Sequence, residues 1–242
     1  MLVVFTVSWE LIVRWGHYPA FILPTPRRIA IRFLAVVREG SLTSHILVTL
    51  GEISGGLALG LSVAVVLGYA LAKSRTLERV LFPYIVGLQA VPIVALAPLL
   101  VIWFGTGSFS KVLVCAMTLF FPVLINTIVG IRNVDSELME LMRSLRASRW
   151  QVFRFLELPA ALPVLFGGLK IGVALSVIGA VVGEFVGSDR GLGFMVNLSR
   201  GLFDTPLMFV SLFSLMLIAL ILYLAVSALE AWLLKWRWPE ER

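Results

Sequence analysis

Several stretches of this chain carry no charged side chain over lengths that water does not tolerate, three of them residues 53–72, 80–110 and 205–229. About 20 apolar residues in helical form cross the hydrocarbon core of a bilayer. Within that core only helices and closed barrels satisfy their own backbone polar groups. None of the three runs alternates polar and apolar residues as a barrel strand would, so each is read as helix. The remaining composition agrees with a membrane protein: 60% of the 242 residues are hydrophobic, 14% are charged, and the mean hydropathy is +0.99. A net charge of +6 would suggest nucleic acid in a water-soluble chain. Here basic residues at the membrane surface account for it, and no nucleic-acid partner is expected.

The expected architecture is all-α and integral to the membrane, one domain over residues 1–242 with six spans near 1–14, 46–72, 81–104, 109–131, 163–187 and 205–234. The run from 80 to 110 is too long for one helix and too short for two complete ones, and it contains Pro83, Pro92 and Pro98. It is read as one proline-bent helix, turned at Gly105–Gly107, whose broken backbone must be covered by other helices or line a cavity. The first span is the shortest: Met1–Val13 is apolar except for Glu10 and reaches only about 20 Å as a helix. No basic segment precedes it and no small-residue cleavage site follows, which argues against a signal peptide. It is expected to be a span whose beginning lies upstream or whose start site is misplaced.

Six spans put both termini on one side, and the distribution of basic residues chooses the side. With cytoplasmic termini that face receives Lys73, Arg75, Arg79, Arg132, Arg143, Arg146, Arg149, Arg154, Lys235, Arg237 and Arg242, with Lys170 close by. The other face receives Arg14, Arg27, Arg28, Arg32, Arg38, Lys111, Arg190 and Arg200, a count of twelve against eight.

On this topology residues 132–162 form the longest cytoplasmic loop, and the loop has a helical pattern. Leu138, Leu141, Met142 and Leu145 recur at i, i+3, i+4 and i+7, an apolar stripe. A second short helix follows Ser148, an N-cap residue, and is expected to stop before Pro159. The pattern itself fits two uses: a basic amphipathic helix lying on the bilayer, or a helix docked in a groove of another protein.

The segment ELMRSLRASRWQVFRFLELPAALP resembles the coupling motif of ABC importer permeases, in which Glu-Ala-Ala, three residues and Gly are followed after nine residues by Ile-x-Leu-Pro. Glu140 matches the Glu, Leu156 the Ile, and Leu158 and Pro159 the closing pair. Leu141 and Met142 stand in place of the alanines and Arg146 in place of the glycine. An arginine keeping the left-handed backbone of that glycine carries a steric penalty of roughly 1 kcal/mol. The stretches LPTP (23–26), TLGEISGGLALG (49–60), VPIVALAPLLVIWFGTG (91–107), KVLVCAMTLFFPVLINTIVGIRNV (111–134) and GEFVGSDRGLG (183–193) are similar to the nitrate, sulfonate and bicarbonate branch of these permeases. GLFDTPLMFVSLF (201–213) resembles permeases for vitamins or their precursors, such as riboflavin or the thiamine pyrimidine, more than those for taurine or alkanesulfonates.

The resemblance implies a MetI-like, type I importer fold and the permease subunit of an ATP-driven importer in the cell membrane. The implied partners are a second permease copy, a pair of ATPase subunits and an extracytoplasmic binding protein, with the lipid bilayer around them. It implies an ATPase-coupling surface made of Glu140, Leu141, Met142, Arg143, Ser144, Leu145, Arg146, Ala147, Ser148 and Pro159. Arg143, Arg146 and Arg149 could contact either the ATPase or anionic lipid. No catalytic residue and no cofactor is expected in this chain, ATP being bound by the partner: none of Lys73, Lys111, Lys170 or Lys235 follows a glycine, so no phosphate loop is present. No metal site is expected, since His17 and His45 are the only histidines and Cys115 the only cysteine.

For the translocation path the candidates are Asn126, Ser176 and Glu184. Glu184 is an ionisable residue in a span, a functional position by default, although near the outer end it could instead reach water or pair with Arg190. Asn126 and Ser176 could equally hydrogen-bond a neighbouring helix. Two other functions compete: a sulfonate, taurine or nitrate permease of the same kind, and a self-sufficient secondary transporter or channel. The latter calls for ion-coupling residues near the midplane or an inverted repeat, and neither is clear in the sequence.

Overall fold

A computed structural model describes residues 2–235, and the described residues form helices and no strands. In chain order these are α1 (Leu2–Trp15), α2 (Pro26–Arg38), α3 (Ser41–Lys73), α4 (Arg75–Gln89), α5 (Ile93–Phe104), α6 (Ser108–Arg132), α7 (Ser136–Ser144), α8 (Arg149–Val152), α9 (Leu158–Gly187), α10 (Leu192–Gly201) and α11 (Thr205–Leu233). A π-helical turn, Phe153–Glu157, joins α8 to α9. Met1, Arg237 and Arg242, which entered the span and charge readings, lie outside the described residues.

Among the described residues four helices are long and apolar enough to cross a membrane: α3, α6, the continuous run Arg149–Gly187, and α11. The pair α4 and α5, bent by 95° at the break between them, is apolar enough to be a broken span or a re-entrant loop. The first of the six expected spans, near 1–14, falls on α1. With 14 residues, α1 reaches about 21 Å against a core of about 30 Å. The expected single bent helix over 81–104 is also two helices, because Pro92 has no N–H to donate back along the chain and disfavours helical geometry at Val91.

The second loop helix does not stop before Pro159. It continues through the π-turn into α9, giving 39 helical residues in one run. A proline inside an α-helix clashes with the carbonyl four residues back. The π-turn widens the helix just ahead of Pro159, with the Leu158 N–H reaching back to the Phe153 carbonyl.

The bundle is built around α6, which packs along both α3 and α9. Val114, Cys115, Leu119, Val123 and Leu124 of α6 are fully buried. Small residues set how closely α3 approaches: a Cβ added at Gly60 would lie 2.7 Å from the Ala116 carbonyl oxygen and 2.9 Å from the Leu119 side chain. In lipid, where no hydrophobic force draws helices together, such close backbone packing is a main source of association. Two helices had no counterpart in the sequence reading: α2, tied to the start of α11 by the Arg32–Asp204 ion pair at 2.8 Å, and α10, a short helix folded back against α3, α9 and α11.

Replacing Gly60 by alanine should therefore separate α3 from α6 and destabilise the bundle by about 1–3 kcal/mol. A lowered thermal unfolding midpoint in detergent checks this, and Gly51→Ala, within α3 where a Cβ meets open space, should not lower the midpoint.

Candidate functional site

The loop between α6 and α9 is two capped helices on a braced base. The Asp135 carboxylate accepts the Glu137 N–H at 2.9 Å and starts α7. At the other end the Arg146 N–H donates to the Arg143 carbonyl and the Ala147 N–H to the Met142 carbonyl, both at 2.9 Å. That pair of bonds is a Schellman closure, which requires a left-handed residue between them. Arg146 supplies it with φ +53°. The arginine thus keeps the glycine's conformation. Two residues later Ser148 and Gln151 cap α8 reciprocally: the Ser148 N–H donates to Gln151 Oε1 at 2.7 Å and the Gln151 N–H to Ser148 Oγ at 3.3 Å.

No residue of α7 is buried. Leu138, Leu141 and Leu145 are 46%, 53% and 68% exposed along one face, and Glu140, Arg143 and Arg146 stand exposed beside them. Met142 and Ala147 are half-buried, and Ser144 turns its hydroxyl onto the Leu141 carbonyl at 2.8 Å. Pro159 is half-buried at the start of α9.

Both roots of the loop are pinned. At the end of α6, Arg132 grips the Glu78 carboxylate of α4 with two bonds of 2.7 and 2.6 Å and reaches the Leu71 carbonyl of α3 at 3.3 Å. At the start of α9 the buried Glu157 pairs with Lys73 and accepts the Tyr69 hydroxyl at 3.2 Å. Phe153 stacks edge-on against Tyr69 at 5.2 Å and tilted against Trp150 at 5.5 Å. The two roots of the loop are thus tied to the ends of α3 and α4.

At the opposite end of the bundle the polar side chains are buried. Glu184 is 1% exposed; Thr49 Oγ1 donates to it at 2.6 Å, and the Gly193 and Phe194 N–H groups of α10 donate to its second oxygen, the latter at 3.3 Å. The Leu192 N–H donates to Thr49 Oγ1 at 2.8 Å and the Gly191 N–H to His45 Nδ1 at 2.9 Å. The four amides that begin α10 are thus received by side chains of α3 and α9, with a carboxylate at the positive end of the helix. Arg190, weighed as the partner of Glu184, is exposed. Glu52, 2% exposed, brings its carboxyl against that of Glu184. Lys111, counted among the surface charges, is 1% exposed: its ammonium donates to the Thr106 carbonyl, to Gly107 at 3.2 Å and to Gly187 at 2.6 Å, closing the turn before α6 onto the end of α9.

Of the other path candidates, Ser176 is buried with its hydroxyl on the Val173 carbonyl at 2.8 Å. Asn126 donates to the Pro122 carbonyl at 2.8 Å and packs against Gly168. Thr49, Glu52, Lys111 and Glu157 were not singled out from the sequence. Their signal was faint: each is a polar residue at the margin of an apolar run, where a solvated or snorkelling side chain is the ordinary expectation.

A bundle of membrane spans with a braced, surface-projecting helix pair on one face is the form of a transport subunit worked by a partner. Residues 56–237 match the family of binding-protein-dependent transport system inner membrane components. The chain belongs to that family and is the permease of an ABC importer. It is 50% identical to the riboflavin transport system permease protein RibX of Chloroflexus aurantiacus, covering 97% of this chain and 88% of that one. It is 36% identical to the formylaminopyrimidine transport permease protein ThiX of Halalkalibacterium halodurans, over 96% and 92% of the two chains. With the taurine transport system permease protein TauC of Escherichia coli it shares 32% over 98% and 87%. Among solved structures, the inward-facing MetNI methionine ABC transporter matches with a TM-score of 0.62 at 20% identity, over 81% of this chain and 94% of that one, which shows the fold.

Two outcomes follow from the geometry. Arg146→Gly should relieve the strained turn by about 1 kcal/mol, seen as slower hydrogen exchange of the Arg146 and Ala147 amides than in wild type. Glu184→Ala strips a buried acceptor from two N–H groups and should destabilise the α10 end by about 1–3 kcal/mol, seen as faster proteolysis within residues 188–201 while the α7 loop is cut at an unchanged rate.

Proposed function

We propose that two copies of this chain form the membrane passage of an importer for riboflavin or a closely related vitamin precursor, delivered by an extracytoplasmic binding protein. ATP is hydrolysed on a separate pair of ATPase subunits, and each ATPase receives one α7. The observation that carries the docking is the unpartnered stripe Leu138, Leu141 and Leu145 on a helix capped at both ends. A stripe meant for lipid would need to lie on the bilayer, whereas α7 is held on a base pinned by Arg132 and Glu157. The substrate class is supported by the likeness to RibX at 50%, against 32% for the taurine permease.

On this reading the loop faces the cytoplasm, together with the ends of α3 and α11. Removing the buried Lys111 from the outer count leaves twelve basic residues against seven, which strengthens the same orientation. The permease itself contributes a two-state element, biased by nucleotide on one face and by loaded binding protein on the other.

The test is reconstitution with the cognate ATPase and binding protein in proteoliposomes. Wild type should retain the ATPase through purification and take up riboflavin only with ATP. Glu140→Ala combined with Leu145→Asp, inserted to the same level, should lose both. Uptake without any ATPase would overturn the importer assignment, and uptake of taurine in place of riboflavin would overturn the substrate.

A further inference from the structure

The elbow between α4 and α5 sits where a membrane protein can least leave it uncovered. It packs against Met117, Thr118, Phe121 and Pro122, which occupy the middle third of the 25-residue α6. From the elbow α5 runs only 12 residues, about 18 Å, before the turn at Gly105, roughly half of a 30 Å core. The break is therefore level with the middle of the α6 span. Residues Val86 to Pro92 are nonetheless all exposed on this chain, and the Gln89 side chain takes no hydrogen-bond partner among the described residues. A second orphan lies beside it: Pro122 has no N–H, so the Thr118 carbonyl lacks its helical donor. Lipid can satisfy neither group, and irregular backbone at this depth occurs only where it is covered by protein or lines a water-filled space.

The elbow is also concave. It walls a cavity of about 310 Å³ whose lining includes Gln89, Pro92, Met117, Thr118, Phe121 and Ile178, with no charged side chain. Flat apolar surfaces and a single carboxamide suit one kind of solute. The amide offers a donor and an acceptor side by side, the complement of a ring that carries N–H and C=O on one edge, while Phe121 and Met117 offer faces to stack on. An anionic sulfonate would find no cation there.

We propose that this elbow pocket is a half-site of the translocation path, in which Gln89 and the freed Thr118 carbonyl hydrogen-bond the polar edge of an uncharged heteroaromatic solute. The second half-site comes from the elbow of the other copy. This rests on the importer reading for the solute, but the placement of the elbow on a water-filled passage is read from backbone geometry alone.

The experiment separates the two. Cys115, the one cysteine, is buried and can be replaced by alanine. In that background, Gln89→Cys is placed in the assembled transporter and exposed to a membrane-impermeant thiol reagent, with Met216→Cys on α11 as an exposed position away from the elbow. The expected result is labelling at position 89 that changes between nucleotide-free and vanadate-trapped states and is slowed by riboflavin presented on the binding protein. Position 89 inert in both states would overturn the placement, because lipid or a dry subunit contact then covers the elbow. State-dependent labelling that riboflavin leaves unchanged, in a transporter that does import riboflavin, would overturn the solute contact. If riboflavin is not imported at all, the importer's substrate assignment fails while the labelling still decides the placement. In a separate uptake assay Gln89→Leu should lower the rate at sub-saturating riboflavin about fivefold, as loss of one neutral hydrogen bond does, with Gln89→Asn recovering part of it. An undiminished rate in Gln89→Leu would remove Gln89 from the site.

Discussion

Everything in this fold answers to the absence of water along its length. In hydrocarbon each backbone N–H and C=O and each ionisable group must find its partner inside the protein. Helix α6 can stand at the centre because nearly all of its inner face is apolar or small. The charged groups that cannot be excluded are gathered at its two ends. Lys111 is caged by three carbonyls at one end, and Arg132 is gripped by Glu78 at the other. Neither is an isolated surface ion pair of the kind that contributes little. Each joins helices that the apolar core alone would leave free to slide.

The two ends are built differently, and the difference suits the two faces. At the loop end the anchors are ion pairs half open to solvent, Lys73–Glu157 and Arg132–Glu78, with 43% and 38% of the basic side chains exposed. They hold helix ends together while leaving α7 itself unburied. At the other end Glu184, Glu52 and Thr49 are sealed in, and the network terminates on the backbone of α10. A carboxylate accepting several N–H groups in a dry site defines position tightly, because moving α10 would orphan every donor at once. The loop end thus leaves its helix pair exposed, whereas the α10 end buries its polar groups.

Period and charge made the spans readable, since a charge-free run of 20 residues has few alternatives. The loop was readable because its stripe, its Ser148 cap and its motif spacing are local. What was not readable required knowing which helix lies against which. Glu157 reads as a helix-surface charge until Lys73 and Tyr69 of α3 are brought to it. Lys111 reads as a surface cation until the carbonyls at Thr106, Gly107 and Gly187 surround it. Pro159 was taken as a stop because an isolated helix would stop there, whereas a π-turn lets this one continue. Arg146 shows the converse: the motif position specified the left-handed turn, and the closure bonds hold it with an arginine in place.

At the elbow the Gln89 side chain takes no hydrogen-bond partner among the described residues, and it lies away from both anchored ends. Helix α4 begins at the Arg132–Glu78 clasp and finishes at the elbow, so the clasp at the root of the loop and the unpartnered Gln89 side chain belong to one 15-residue helix. A helix that is clamped at the loop end and uncommitted at the midplane is poorly suited to a purely structural span, whose free energy would be lowered by continuing straight through. A hinge of 95° with exposed amides is kept only where the space beside it is not lipid. With α7 docked on an ATPase as proposed, the bend stands on the helix clasped to the root of that loop, which is what a permease worked from outside the membrane requires of its own backbone.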